Sequence, residues 1–250
     1  MNKRIYAYTI TRADTVARSR LLLDTLTRGR DTADYPFTWH VHVNGRGIMA
    51  QSMVESCFVS KVIDSFEVSE YNEGQHPPAN KAIAKAITEN YDYILRTDDD
   101  VEWLSKRWLA KLVEASEKIG GRQVLSPRVR GLRWLPPMSQ TVEVEGIPIK
   151  IINFKNPIGG ICRLIPVPLL RDNPYFSDVR LPLGGGDADG IGKWVSSLQP
   201  LVISAYCQHV NIRHAKGTDQ QEKDDPIHAK EHDMLQHVPY IPLWSDTCPK

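Results

Sequence analysis

An α/β domain around a largely parallel sheet is what this sequence predicts, on three observations. Short apolar runs alternate with segments of helical period through the first hundred residues, the pattern of strands joined by crossover helices. One such run, Tyr93–Thr97, ends directly in Asp98-Asp99-Asp100, and sheets of this kind bind ligands beyond the carboxyl ends of their strands. The 250 residues, 41% of them hydrophobic, show no internal repeat and no composition break that would mark a second core.

The elements follow in order. Ile5–Ile10 reads as a buried strand. Asp14 is placed to cap a helix carrying Val16, Leu22, Leu23 and Leu26, with Gly29 to end it. Thr38–Val43 alternates, with Trp39, Val41 and Val43 on one face, and stops at Asn44-Gly45. A helix with Met49, Met53 and Cys57 on its inner stripe is expected next, then a strand at Phe66–Val68. Asn80–Asn90 keeps helical spacing through Ala82, Ile83, Ala86 and Ile87. Ser105 is the expected cap of a helix burying Trp108, Leu109, Leu112 and Val113, closed by Gly120-Gly121. The second half reads as a hairpin, Thr141–Glu145 with Ile147–Phe154 turning near Gly146. A strand starting at Gly159-Gly160-Ile161-Cys162 follows, then a helix after Gly184-Gly185-Gly186, and a late strand at Leu201–Val210. Lys216–Lys230 is a charged loop.

Charge and cysteine content narrow the function classes. With 31 basic against 30 acidic side chains, no global field calls for a polyanionic partner. The four cysteines are dispersed without a CxxC pair, which argues against a disulfide framework or a zinc ribbon and favours a reducing, cytoplasmic setting. The first residues lack the apolar run of a signal peptide, and no stretch approaches the ~18 apolar residues of a membrane span.

Three adjacent carboxylates at a strand end repel one another unless a cation is present. Mg²⁺ and Mn²⁺ take oxygen ligands, commonly one or two carboxylates with substrate phosphates. Residues at i and i+2 point the same way, so Asp98 and Asp100 can flank one ion. A solvated acidic turn is the plainer alternative.

Asn80 through Trp108 resembles the family-2-like GT-A glycosyltransferases: an Ala-rich helix opened by Asn, then Tyr-Asp-Tyr-Ile-Leu-Arg-Thr-Asp-Asp-Asp, then a helix with Trp108-Leu109. Arg96-Thr97 departs from the pattern, since many relatives have two apolar residues there. The resemblance implies a GT-A domain over residues 1–215, Rossmann-like with a mixed, mostly parallel central sheet, and a tail over 216–250. It also implies a DxD motif in which Asp98 lies near the ribose or the ion, Asp100 holds Mn²⁺ or Mg²⁺ on the donor diphosphate, and Asp99 contacts the ion or the sugar. By the same likeness Thr11 and Arg12, after the first strand, lie by the nucleobase. Asn44 stands where an Asp often binds uracil or ribose, and Asn80 belongs with the donor-binding set.

A second group of acids follows the glycines 184–186. Glycine permits close backbone approach and helix N-termini favour anions, although an Asp there is also an ordinary cap. Gly184–Asp189 resembles the family's Gly-Glu-Asp-x-Asp motif with Gly186 in place of Glu. That implies Asp187 as general base for an inverting transfer, with Asp189 its neighbour. Relatives often carry a metal-binding His after this helix; His214 fits best and His209 second.

The sequence thus predicts a metal-dependent hexosyl- or pentosyltransferase using a nucleotide-sugar donor, a UDP-sugar first. The acceptor is a glycan, a lipid-linked sugar or DNA. DNA is suggested by the basic stretch Lys106, Arg107, Arg122, Arg128, Arg130 and Arg133 with Trp134. The main rival is a non-catalytic sugar- or nucleic-acid-binding protein on a degenerate transferase fold. A nucleotidyltransferase is disfavoured because Thr9–Val16 has no glycine. The H-x-x-E-H match at His228, Glu231 and His232 has too little chain after it for a third ligand.

Overall fold

The structure, a computed structural model, describes residues 2–45, 47–130, 138–152, 161–172 and 204–214. Four strands of the first half pair in parallel: β1 (Ile5–Thr11), β2 (Thr38–Val43), β3 (Ser65–Val68) and β4 (Tyr93–Thr97), in spatial order β3-β2-β1-β4. Between them run α1 (Val16–Thr32), α2 (Ile48–Val59) and α3 (His76–Thr88). The chain steps outward from β1 to β2 to β3, then returns to the far side of β1 for β4. That reversal makes the β1–β4 boundary a topological switch point, where α/β sheets open a crevice for ligands.

The second half completes a mixed sheet. β5 (Val101–Trp103), α4 (Trp108–Lys118), β6 (Val124–Arg130), β7 (Met138–Val144), β8 (Ile147–Ile152), β9 (Cys162–Pro166), α5 (Val167–Asp172) and β10 (Ser204–His214) follow in order. Past β4 the sheet continues β9-β6-β10-β8-β7, with β5 on β10. β5, β8 and β9 run against the direction of the other described strands.

Alternation along each strand divides the core. Trp39, Val41 and Val43 are fully buried on the face covered by α1, where Trp39 meets Gly29. Trp103 and Trp108 stack at 3.9 Å and tie α4 to this face; the Trp108 indole N–H donates to Gly29 O at 2.9 Å. His40 and His42 point to the other face, where α3 lies over β1. A buried N–H or indole left unpaired is costly, so these tryptophan donors fix how the layers stack.

Several expected caps and stripes are corrected. Thr15, not Asp14, caps α1, its hydroxyl accepting from Arg18 N; Asp14 instead faces Arg12 and Arg18. Gly29 does not end α1, which runs to Thr32; it is glycine because the helix presses on Trp39 and Trp103 there. Val16 is half-exposed. The buried stripe of α2 is Ala50, Val54 and Cys57, and Met49 is exposed. Asn80 does not open α3: the helix starts at His76, because Pro77 and Pro78 in its first turn need no hydrogen-bonded N–H. Ser105 does not cap α4, whose N-cap is Arg107 in the left-handed region; the Ser105 hydroxyl accepts from Asn211 N instead. The glycine stop of α4 is as expected, with Gly120 and Gly121 at φ of +97° and +66°.

Candidate active site

The acids Asp98–Asp100 lie between β4 and β5, at the carboxyl end of the switch-point strand. Parallel pairing brings the ends of β1, β2 and β4 to one edge of the sheet, and Asn44 N donates to Thr11 O at 2.7 Å. The Thr11 hydroxyl crosses the switch point and donates to Asp99 Oδ2 at 2.5 Å. Thr25 of α1 holds the turn from beneath, its hydroxyl 3.2 Å from Asp99 O and 3.1 Å from Val101 O. Asp98 N donates to Ile161 O at 2.9 Å, which anchors the other side to the start of β9.

The three carboxyls are held differently. Asp98 Oδ1 lies 3.2 Å from the Arg96 guanidinium, which also donates to Gln75 Oε1 at 3.2 Å, so Arg96 links the acid turn to the entry of α3. Burial, and then the charge of Asp100, push the Asp99 carboxyl up to about 6, against the Thr11 hydrogen bond. Three carboxyls thus meet at one strand end, one of them paired with Arg96 and one buried. A divalent cation with oxygen ligands fits such a donor set.

Arg12 lies 3.6 Å from Asp14. Asn44 is 5% exposed, with both ends of its amide engaged. It donates to Gly74 O at 2.8 Å and accepts from Glu73 N at 2.7 Å, folding residues 69–74 over the end of β2. Ser69 Oγ reinforces this, accepting from Gly45 N and donating to Tyr71 O. The loop presents Tyr71, 66% exposed, at this edge. Asn80 is half-buried on α3, in its second turn.

The backbone of His214 pairs with Val101, next to Asp100, so β10 brings this residue's position to the acid turn. His209 is exposed in the irregular stretch of β10 between Cys207 and Asn211, roughly 15 Å further back along the strand. Asp187 and Asp189 lie outside the described residues, as do Arg133, Trp134 and the 228–232 segment. Of the basic stretch, Arg107 pairs with Asp34 at 2.5 Å, while Arg122, Arg128 and Arg130 are exposed. Arg96, Gln75 and Tyr71 were not expected as site residues. Arg96 had a visible signal, a cation inside an apolar strand; Gln75 and Tyr71 had none. A separate cavity of about 270 Å³, around Lys3, Asp92 and Glu117, contains none of the site residues.

No protein-family profile matches the sequence, and no curated protein sequence matches it. Solved structures do. TarS of S. aureus (residues 1–349), in complex with UDP-GlcNAc, matches with a TM-score of 0.58 at 14% identity, over 87% of this chain and 60% of that one. The mannosyltransferase PcManGT of Pyrobaculum calidifontis, in complex with GDP-Man and Mn²⁺, gives 0.59 at 14% over 94% and 63%. GalNAc-T7 with UDP, GalNAc and Mn²⁺ gives 0.60 at 12% over 85% and 43%. This chain thus spans less than two thirds of each of these proteins. At such identities the likeness is one of fold, and the fold is that of the GT-A glycosyltransferases.

Proposed function

We propose that this protein is a metal-dependent glycosyltransferase that moves a sugar from a nucleotide-sugar donor to a hydroxyl acceptor. The observation that carries the reading is the acid turn Asp98–Asp100 at the switch point of a GT-A sheet, where burial and then the neighbouring Asp100 raise the Asp99 carboxyl to about 6. Structural neighbours with UDP-GlcNAc, UDP, GDP-Man and Mn²⁺ support a nucleotide-sugar donor and a divalent ion.

Asp98 and Asp100 would hold Mn²⁺ or Mg²⁺, with His214 completing the set; bound there, the ion supplies Lewis-acid neutralisation of the donor diphosphate. Thr11 keeps Asp99 in place, and Asn44 shapes the 69–74 loop at the nucleotide end, where a UDP-sugar is the donor we favour. Asp187, with Asp189 beside it, accepts the proton of the acceptor hydroxyl as that oxygen attacks the anomeric carbon with inversion, while the bond from that carbon to the donor diphosphate breaks and the nucleoside diphosphate leaves. The acceptor is a glycan, a lipid-linked sugar or DNA. The proposed setting is cytoplasmic: Cys57, Cys162 and Cys207 are free thiols, and among the described residues no helix is long and apolar enough to cross a membrane.

Thermal unfolding against a panel of nucleotide sugars, with and without Mn²⁺, tests this. A donor at ~100 times its dissociation constant adds ~2.7 kcal/mol, which for a domain of this size raises the midpoint by roughly 5–11 °C. The expected result is a Mn²⁺-dependent shift with one donor, lost in Asp100→Asn. No shift with any donor would favour a binding protein on a degenerate transferase fold.

A further inference from the structure

A second cluster of ligating side chains lies near the carboxyl ends of β2 and β3, separated from the acid-turn strand β4 by β1. His40 and His42 are two apart on β2, so they share a face, and the parallel register sets Glu67 of β3 against His42 and Ser65 against His40. One ring nitrogen of each histidine and one carboxylate oxygen of Glu67 lie within 4.8 Å of one another. His42 Nδ1 is 4.0 Å from Glu67 Oε2, too far for a hydrogen bond. Two ligands of a tetrahedral ion at bond lengths of about 2.0–2.2 Å lie roughly 3.3–3.6 Å apart, so a small closure of this pair would bring both onto one ion.

We infer that His40, His42 and Glu67 form a binding site for a zinc-class divalent metal ion that staples the edge strand β3 to β2.

Four features support the site. The His42 side chain is 3% exposed, and its Nε2 has no hydrogen-bond partner among the described residues, so no hydrogen bond at that nitrogen fixes the ring against turning to a ligand. His40 Nδ1 lies 3.0 Å from Ser65 Oγ, which orients the ring and leaves its other nitrogen available. Lys81 of α3 occupies only one oxygen of Glu67, donating to Oε1 at 2.7 Å and leaving Oε2 toward His42. Burial holds both imidazoles below their ordinary range, His42 at about 4, so each offers a lone pair at neutral pH with no proton to displace.

Two imidazoles and a carboxylate are a zinc donor set with one position open, richer in nitrogen than the carboxylates of the acid turn, which suit Mg²⁺ or Mn²⁺. The site lies directly beneath the loop that Asn44 and Ser69 fold, since His42 and Glu67 each precede one of those residues by two. An ion here would stiffen a strand of only four residues at the sheet edge.

The test uses the full chain carrying Asp98→Asn and Asp100→Asn, so that the acid turn does not contribute. Co²⁺ is titrated and followed by visible absorption, and Zn²⁺ is measured by competition. One equivalent bound, with affinity weakened at least about tenfold in His42→Gln and in Glu67→Gln, is the expected result. Circular dichroism confirms that the variants are folded. If His42→Gln does not fold, Glu67→Gln, whose side chain is half-exposed, decides alone. No bound Co²⁺, or Zn²⁺ affinity unchanged in the folded variants, overturns the site. Because the metal alone is the probe, either outcome leaves the donor-binding experiment untouched.

Discussion

Asn44 shows what a single residue can and cannot disclose. Its position after an apolar strand and before Gly45 was legible. That both ends of its amide are engaged with residues 73 and 74 was not, because hydrogen bonds across some thirty residues leave no local trace. Asn44→Ala leaves Gly74 O and Glu73 N without these bonds in a buried setting. We expect a loss of about 1–3 kcal/mol in urea unfolding, with faster amide exchange confined first to residues 69–74. Exchange unchanged in that loop would rule out the structural role. Arg96 makes a related point: a cation in the strand Tyr-Ile-Leu-Arg-Thr reads as a departure from pattern, yet it is the group that faces Asp98.

At the scale of elements, the existence and type of β1 to β4 and α1 to α4 were legible and their ends were less so. Trp39, Val41 and Val43 alternate as an inner face must, and they are buried without exception. The start of α3 was missed because Pro77-Pro78 reads as a break, whereas proline is accepted in a first helical turn. β5 and β6 gave no clear pattern: three residues are too few, and Pro127 interrupts the run of β6. Gly29 is the instructive case. In a helix interior Gly→Ala ordinarily gains up to about 1 kcal/mol. Here the new Cβ would meet Trp39 Cη2 at 2.6 Å and Trp103 Nε1 at 2.7 Å. Overpacking of this kind costs typically 1–3 kcal/mol, so Gly29→Ala should lower the urea midpoint. A raised midpoint would show that α1 can lift off the sheet freely.

Over the whole molecule, three of the four cysteines are sealed into one core. Cys57, Cys162 and Cys207 are each 1% exposed or less, and burial raises all three thiols above their ordinary range. They should react with iodoacetamide only through opening of the domain, at least about a thousandfold more slowly than in denaturant. Peptide mapping of the alkylated native protein checks this. Rapid native labelling of Cys162, the first residue of β9 and paired with Thr97 of β4 next to the acid turn, would mean that the sheet is open there.

The sequence by itself determined the α/β class, the strands that carry the site and the acid turn at the end of one of them. These depend on periodicity and composition within ten or fifteen residues, where side-chain burial imposes its rhythm directly. Only the tertiary structure decided that β4 returns to the far side of β1, that Thr11 meets Asp99 across that boundary, and that His42 and Glu67 share a face. Those are matters of strand order and register, set by the joint packing of layers from distant parts of the chain, and no local pattern encodes them.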